Sequence, residues 1–455
     1  MQVRISPVRK LRGVISVPGD KSISHRAALL GAIAEGTTEI EGFAPGRDPQ
    51  TTLEVLERLG VEVEREGKVI RIHGLGLRGL KPPDGPLWAG NSGTLMKLIS
   101  GILAGQDFTS VLEGDESLSR RPMRVVEPLR LMGAKVSARD DLYPPLEIEG
   151  HFPLKPICYS LPVASATVKS AVLLAGLYAE GRTSVEEPAP SRDHTERMLE
   201  AFGAEVERRW IREGRFEDLE EELDRRLRRA EGERGQLRVQ VSVEGTGKLE
   251  ARRVVVPGDI SSAAFFLVAG AIVPKSHIRI KDVGLNPTRR AVVDVLRRMG
   301  AEVRVEGERL VCGEPVGDLV VRGSDLKGTR IAGTLIPNLI DELPVLAVAA
   351  ACARGETVIR DASELRTKET DRIRAVVENL RRMGAKVGEL PDGMVIGGGG
   401  NLRGATVESF GDHRIAMAFA VAGLVAEGET VIEGAEWADI SFPGFFRTLE
   451  DLSRR

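Results

Sequence analysis

Eight cations sit beside small polar residues where apolar segments begin, and that pairing could bind an anion of several charges. Lys21, Ser22 and Arg26 lie in GDKSISHRAALLGA, Asn91, Ser92 and Thr94 in AGNSGTLMKL, and Ser165 and Lys169 in SATVKSAVLL. His413 and Arg414 lie in GDHRIAMAF. Further cations open a second set of helices: Arg121 in SRRPM, Arg192 in PSRDH, and Lys368 and Arg372 in TKETDR. A helix N-terminus presents unpaired N–H groups and the positive end of the dipole, which favour an anion by about 0.3–1 kcal/mol each. Any one of these polar residues is accounted for by N-capping alone. Six such openings with eight cations, and no acidic run beside them in the chain, point instead to a ligand that carries several negative charges.

The elements that position these residues repeat six times. Segments opening at Asp20, Asn91, Ser165, Asp259, Asp341 and Asp412 each run from a polar residue into small apolar residues, then through Gly into an extended Thr/Val/Ile stretch. The openers lie 71, 74, 94, 82 and 71 residues apart, so the third interval holds an insertion. A second marker has the same period: RLGVEV, LMGAKV, AFGAEV, RMGAEV and RMGAKV each read as a helix stopped by a left-handed glycine before a strand. Each unit is therefore expected to be a buried helix, a strand, an amphipathic helix and a hairpin such as VEVEREGKVIRIHG. Runs such as AVLLAGLYA are apolar on every face, which requires a helix enclosed on all sides.

VPGD occurs at residues 17–20 and again at 256–259, each time joining a strand-like run to the first helix of a repeat. These crossings predict two similar α/β domains of three repeats each: residues 1–19 with 256–455, and residues 20–255. The charged stretch REGRFEDLEEELDRRLRRAEGERGQ reads as an extra helix inserted at 211–236, with Phe216, Leu219, Leu223 and Leu227 on one stripe. GLGLRG, at 74–79, matches a dinucleotide fingerprint, but Pro82, Pro83 and Pro86 follow where a helix would have to start, so it reads as a loop. GTGK, at 245–248, lacks the upstream glycine and the following Ser/Thr of a phosphate loop.

At 455 residues and 42% apolar content the chain can form large cores. Its net charge of -3 gives no global attraction to nucleic acid or an anionic membrane, so neither is expected as a partner. Cys158, Cys312 and Cys352 form no CxxC pair, and the six histidines show no HxxxH or HxH spacing, so neither a disulfide framework nor a metal site is expected. MQVRISPVRK lacks an apolar core and no apolar run reaches about eighteen residues, which predicts a cytoplasmic protein.

The runs GDKSISHRAALLGAIAEG, AGNSGTLMKL, SRRPM, SATVKSAVLLAGL, PSRDHTERML, TKETDRI and GDHRIAMAF, taken in order, resemble the 5-enolpyruvylshikimate-3-phosphate synthases. The resemblance spans the chain apart from the charged insertion. It implies two inverse α/β domains closing on shikimate 3-phosphate and phosphoenolpyruvate, with no cofactor. Enolpyruvyl transfer to the 5-hydroxyl then releases phosphate. It also implies that Lys21, Ser22 and Arg26 hold shikimate 3-phosphate, Arg26 at its carboxylate and Ser165, Ser191 and Arg192 at its phosphate, with Asp341 and Lys368 also in contact. Gly93, Arg121, Arg372 and Arg414 would hold phosphoenolpyruvate, and Lys21 and Thr167 would touch both ligands. Asp341 would take the hydroxyl proton, Glu369 would protonate the phosphoenolpyruvate methylene, and Lys21 or Lys368 would move protons during elimination. A monomer is the expected state.

Four positions depart from the family pattern. Thr167 stands where Gln is usual, which shortens its reach, Ala166 and Glu364 replace Ser and Asn, and Ile440 stands where other members have Lys. Two other functions remain open. An enolpyruvyl transferase acting on a UDP-amino sugar would share the period, but its loop cysteine is missing from GDESLSRRPM. A non-catalytic anion-binding repeat protein would leave Asp341 and Glu369 without a task.

Overall fold

The computed structural model describes residues 1–212, 215–218, 238–245 and 247–454. By its internal contacts the chain divides into two compact units. One is Met1–Pro18 with Pro257–Leu310 and Pro315–Arg455; the other is Gly19–Val256 with the turn Val311–Glu314. Each has its own apolar core.

The mixed α/β expectation is met by six small sheets around six buried helices: Lys21–Ile33, Gly93–Ala104, Ala166–Gly176, Ile260–Ile272, Leu343–Cys352 and His413–Gly423. In the first repeat the helix Lys21–Ile33 leads into Glu35–Glu41, the surface helix Arg47–Arg58 follows, and the hairpin Glu62–Glu66/Val69–Leu75 returns antiparallel to Glu35–Glu41. The other edge of that sheet is filled by Arg253–Val255, parallel to Glu35–Glu41, so the last strand of the unit closes on its first repeat. A parallel neighbour is found at the same place in all six sheets.

Residues 1–18 complete the other unit. Arg12–Ser16 lies parallel to His277–Gly284, and Gln2–Ile5 pairs antiparallel with Thr430–Glu433, where the sixth repeat has no hairpin of its own.

The helix-stopping glycines are where the sequence put them: Gly60, Gly133, Gly203, Gly300 and Gly384 all have φ between 80° and 105°. A second recurring glycine ends the returning hairpin strand. A Cβ on Gly74 would fall 2.1 Å from the Ala34 carbonyl oxygen, and one on Gly398 would fall 2.0 Å from that of Ala353. Only a bare backbone lets these strands approach the last turn of their core helices. Gly74 is thus a close-approach residue in GLGLRG, whose remaining residues turn away without starting a helix.

The insertion departs from expectation. Ile211 and Arg212 continue the strand Val206–Arg212, and Arg215–Asp218 pairs back on it, so the segment begins as a hairpin rather than a helix. The helix expected over the rest of 211–236 lies outside the described residues. Among the described residues no single helix is long and apolar enough to cross a membrane.

Candidate active site

In the unit Gly19–Val256, Asp20 caps the first core helix by accepting from the Ile23 N–H at 2.9 Å, which sets Lys21, Ser22 and Arg26 on its opening turns. Lys21 Nζ donates to Asp48 Oδ2 at 2.9 Å and remains partly exposed. Arg26 is buried and each of its guanidinium nitrogens has a partner: Nε donates to Thr195 Oγ1 at 2.6 Å, one Nη to the Ser22 carbonyl at 2.9 Å and the other to Ser170 Oγ at 2.9 Å. Arg26 thereby ties the helix starts of the first and third repeats together.

Ser165 caps its helix by position only, with no side-chain bond to the helix N–H groups, and the half-buried Thr167 side chain makes no hydrogen bond among the described residues. Lys169, counted in the sequence among the cations available to an anion, is instead taken up by carboxylates of the chain. It is buried, with Nζ 2.7 Å from Glu187 Oε2 and 2.7 Å from Glu196 Oε1. Burial is the largest influence on its ammonium and lowers the pKa, but the two carboxylates outweigh it and raise the net value. The Ser191 hydroxyl donates to Glu187, so this buried group reaches the start of the PSRDH segment. Arg192 is half-buried beside it.

In the second repeat, Ser92 and not Asn91 caps the helix, accepting from the Leu95 N–H at 3.2 Å. Asn91 is occupied elsewhere: its Nδ2 donates to Asp115 at 2.7 Å, and its Oδ1 accepts from Arg121 at 2.9 Å. Gly93 is the first helical residue, and a Cβ there would lie 3.7 Å from Arg121 Nη1, an ordinary contact.

The other unit gathers the carboxylates. Arg372 is fully buried, with Nε 2.7 Å from Asp412 Oδ2 and its terminal nitrogens 3.2 Å from Asp341 Oδ1 and 2.5 Å from Glu369 Oε2. Burial lowers its pKa most, yet Asp412, Glu369 and Asp341 together raise it further above its ordinary value, so the guanidinium stays charged. Arg414 donates to the Asp341 backbone carbonyl at 3.2 Å and lies 3.5 Å from Asp341 Oδ1. Asp341 is not the helix cap: Pro344 near the start of Leu343–Cys352 places the cap at Glu342, and the Asp341 side chain turns to the two arginines. Lys368 lies next to Glu369 in the chain, but its Nζ pairs with Glu364 Oε1 at 2.7 Å.

The structure thus brings Asp341, Glu369, Arg372 and Arg414 together, and joins Gly93 to Arg121 through Asn91. Sequence reasoning missed the anionic partners, Asp48, Glu187, Glu196 and Asp412. Nothing in GRDPQ singled out Asp48, which follows Arg47, the first residue of its helix, just as Asp193 follows Arg192 in PSRDH.

A family profile described as "EPSP synthase (3-phosphoshikimate 1-carboxyvinyltransferase)" matches residues 5–215 and 231–449, leaving the middle of the charged insertion unmatched. Proteins named 3-phosphoshikimate 1-carboxyvinyltransferase from Brevibacillus brevis and Salinibacter ruber are 51% and 52% identical to this chain. Those alignments cover 99% of this chain and 100% and 99% of the two relatives. The solved EPSP synthase of Acinetobacter baumannii is 44% identical and superposes with a TM-score of 0.83, covering 99% of this chain and 98% of that one. Sequence over nearly its whole length and fold agree: the chain belongs to the EPSP synthase family.

Proposed function

We propose that the chain transfers the enolpyruvyl group of phosphoenolpyruvate to the 5-hydroxyl of shikimate 3-phosphate and releases inorganic phosphate. The observation that most supports this is Arg372, a buried cation answered by Asp341, Glu369 and Asp412 and adjoined by Arg414. Removing two anions from water requires fixed cations, and addition to the enol double bond requires one base and one acid. That group contains both.

In this reading Arg372, Arg414, Arg121 and the backbone at Gly93 hold phosphoenolpyruvate. Lys21, Ser22, Arg26, Ser165, Ser191 and Arg192 hold shikimate 3-phosphate, and Lys21 and Thr167 serve both ligands. The incoming phosphoenolpyruvate anion takes over hydrogen bonds of Arg372 that Asp341 and Glu369 make in the ligand-free chain. The two released carboxylates then have their tasks. Asp341 accepts the 5-hydroxyl proton as the oxygen attacks C2, and Glu369, which takes up a proton from solvent once it leaves Arg372, supplies that proton to C3, giving a tetrahedral ketal. Loss of a C3 proton and expulsion of phosphate restore the enol, with Lys21 or Lys368 relaying the protons.

The two domains of this reading are residues 1–19 with 256–455, and residues 20–255. We place the enzyme in the cytoplasm as a monomer, and the free state of Cys158, Cys312 and Cys352 fits a reducing compartment. No feature favours the amino-sugar reaction. Cys158, the cysteine nearest GDESLSRRPM, has its thiol pKa raised by burial and by Glu186, against thiolate chemistry.

The test is incubation with phosphoenolpyruvate and either shikimate 3-phosphate or UDP-N-acetylglucosamine, following phosphate release and product mass. Release with shikimate 3-phosphate, and a product heavier by one enolpyruvyl group, is expected. Release with the amino sugar alone, or binding without release, would reject the assignment.

A further inference from the structure

A cleft of about 630 Å³ opens on the outer face of the sheet that contains Arg12–Ser16, His277–Gly284 and Glu314–Arg322. None of its lining residues belongs to the groups described above. In register, Arg12 lies directly opposite His277, and His277 directly opposite Arg322, so three basic side chains form one row across three neighbouring strands. All three are exposed, and Lys275 joins them from the turn before His277, held at a left-handed φ of 57°.

Two facts set this row apart from an ordinary charged surface. Neither Arg12 nor His277 has a carboxylate opposite it in register, so the alignment Arg12–His277–Arg322 adds no cross-strand ion pair to the fold. The row is also poorly neutralised, although the chain as a whole has 64 Lys and Arg against 67 Asp and Glu. The side chains of Arg12, Lys275 and His277 form no hydrogen bond or ion pair among the described residues. Glu302 is the one carboxylate in the lining, and its Oε1 is shared by Arg304 at 3.0 Å and Arg322 at 3.4 Å. Arg279, in the next row, is already answered by Asp318 and Glu306.

We infer that this cleft is a second anion site, which takes a small phosphate-bearing molecule. Its volume lies within the range of small-ligand sites, and its donors are cationic forks of the kind that hold phosphate oxygens in pairs. Val14 supplies an apolar part of the lining for a short carbon skeleton. The inference does not rest on the reaction proposed above, because no residue of the cleft takes part in it.

The test is calorimetric titration of the whole protein with pyrophosphate at low salt. The variant Arg12→Ser/Arg322→Ser should bind one equivalent per chain fewer than the unaltered protein, keep its phosphate-releasing activity, and melt at about the same temperature because both side chains are exposed. Lys275→Gly, which suits the left-handed backbone, should weaken the same equivalent about tenfold. Inorganic phosphate and glycerol 3-phosphate, added as competitors, separate an inorganic anion from a phosphomonoester as the natural occupant. An unchanged number of equivalents in the double variant, an unchanged affinity in Lys275→Gly, or displacement by neither competitor would overturn the inference.

Discussion

Asp412 holds Arg372 with one carboxylate oxygen, Oδ2 at 2.7 Å from Nε, and with the other caps the helix that carries Arg414, Oδ1 at 2.8 Å from the Arg414 N–H. One side chain therefore fixes the position of both arginines. Asp412→Ala should destabilise the protein by roughly 3 kcal/mol or more, since it removes a cap and one partner of a buried ion pair. The KM for phosphoenolpyruvate should rise with it. Asp412→Asn keeps an acceptor for the cap but not the charge, so it should recover part of the stability and little of the substrate affinity. Thermal unfolding and steady-state kinetics of the two variants check this, and equal KM values in all three proteins would refute it.

Gly93 is not required by its own surroundings. Its φ is not left-handed, and a Cβ would meet Leu118 at 3.5 Å and Arg121 at 3.7 Å, both ordinary distances. The proposed function assigns the space beside it to phosphoenolpyruvate. Gly93→Ala should leave the melting temperature unchanged or raise it, because Ala is favoured over Gly in a helix by about 1 kcal/mol. The same variant should raise the KM for phosphoenolpyruvate several-fold. A lowered melting temperature with an unchanged KM would assign Gly93 to packing instead.

What could be read from the sequence was local. The glycine after each amphipathic helix sits within a few residues of the turn it makes, and the six buried helices announce themselves by being apolar on every face. The partners of the cations were not readable, because they come from distant parts of the chain: Asp48 is 27 residues from Lys21, Asp412 is 40 from Arg372, and Glu187 is 18 from Lys169. Asp48 and Glu187 meet their cations only when a single repeat folds back on itself, and Asp412 meets Arg372 only where the fifth and sixth repeats pack. Helix openings were legible at Asp20 and Asp412, whose carboxylates still reach the helix N–H groups, Asp412 while also holding Arg372. They slipped by one residue at Asn91, drawn off by Asp115 and Arg121, and at Asp341, drawn off by Arg372.

Lys368, proposed to contact shikimate 3-phosphate, is paired with Glu364, the residue that replaces an Asn in the family pattern. The carboxylate competes with the substrate for the ammonium. Glu364→Gln removes that competition, and since partly exposed pairs of this kind contribute about 0.2–1 kcal/mol, the KM for shikimate 3-phosphate should fall by up to about fivefold. The effect should shrink as salt is added. An unchanged KM at low salt would show that Lys368 does not reach the substrate.

His25 gives the protein a predictable acid sensitivity. The ring is fully buried, with Nδ1 2.6 Å from Thr52 Oγ1, and burial pulls its pKa from 6.5 to about 3. Asp48 and Asp20 act against that shift, while Lys21 and Arg26 add to it. Between these two values the unfolded chain carries a proton on His25 that the native chain does not, so stability rises with pH across this window and falls as the solution is acidified below 6.5. One proton contributes a slope of about 1.4 kcal/mol per pH unit. His25→Asn can keep a partner for Thr52 but cannot titrate. Chemical denaturation at pH 4, 5, 6 and 7 should give a shallower dependence for this variant by that one-proton slope, whatever its stability at neutral pH. Parallel slopes for the two proteins would mean that His25 takes up its proton in the native state as readily as in the unfolded one.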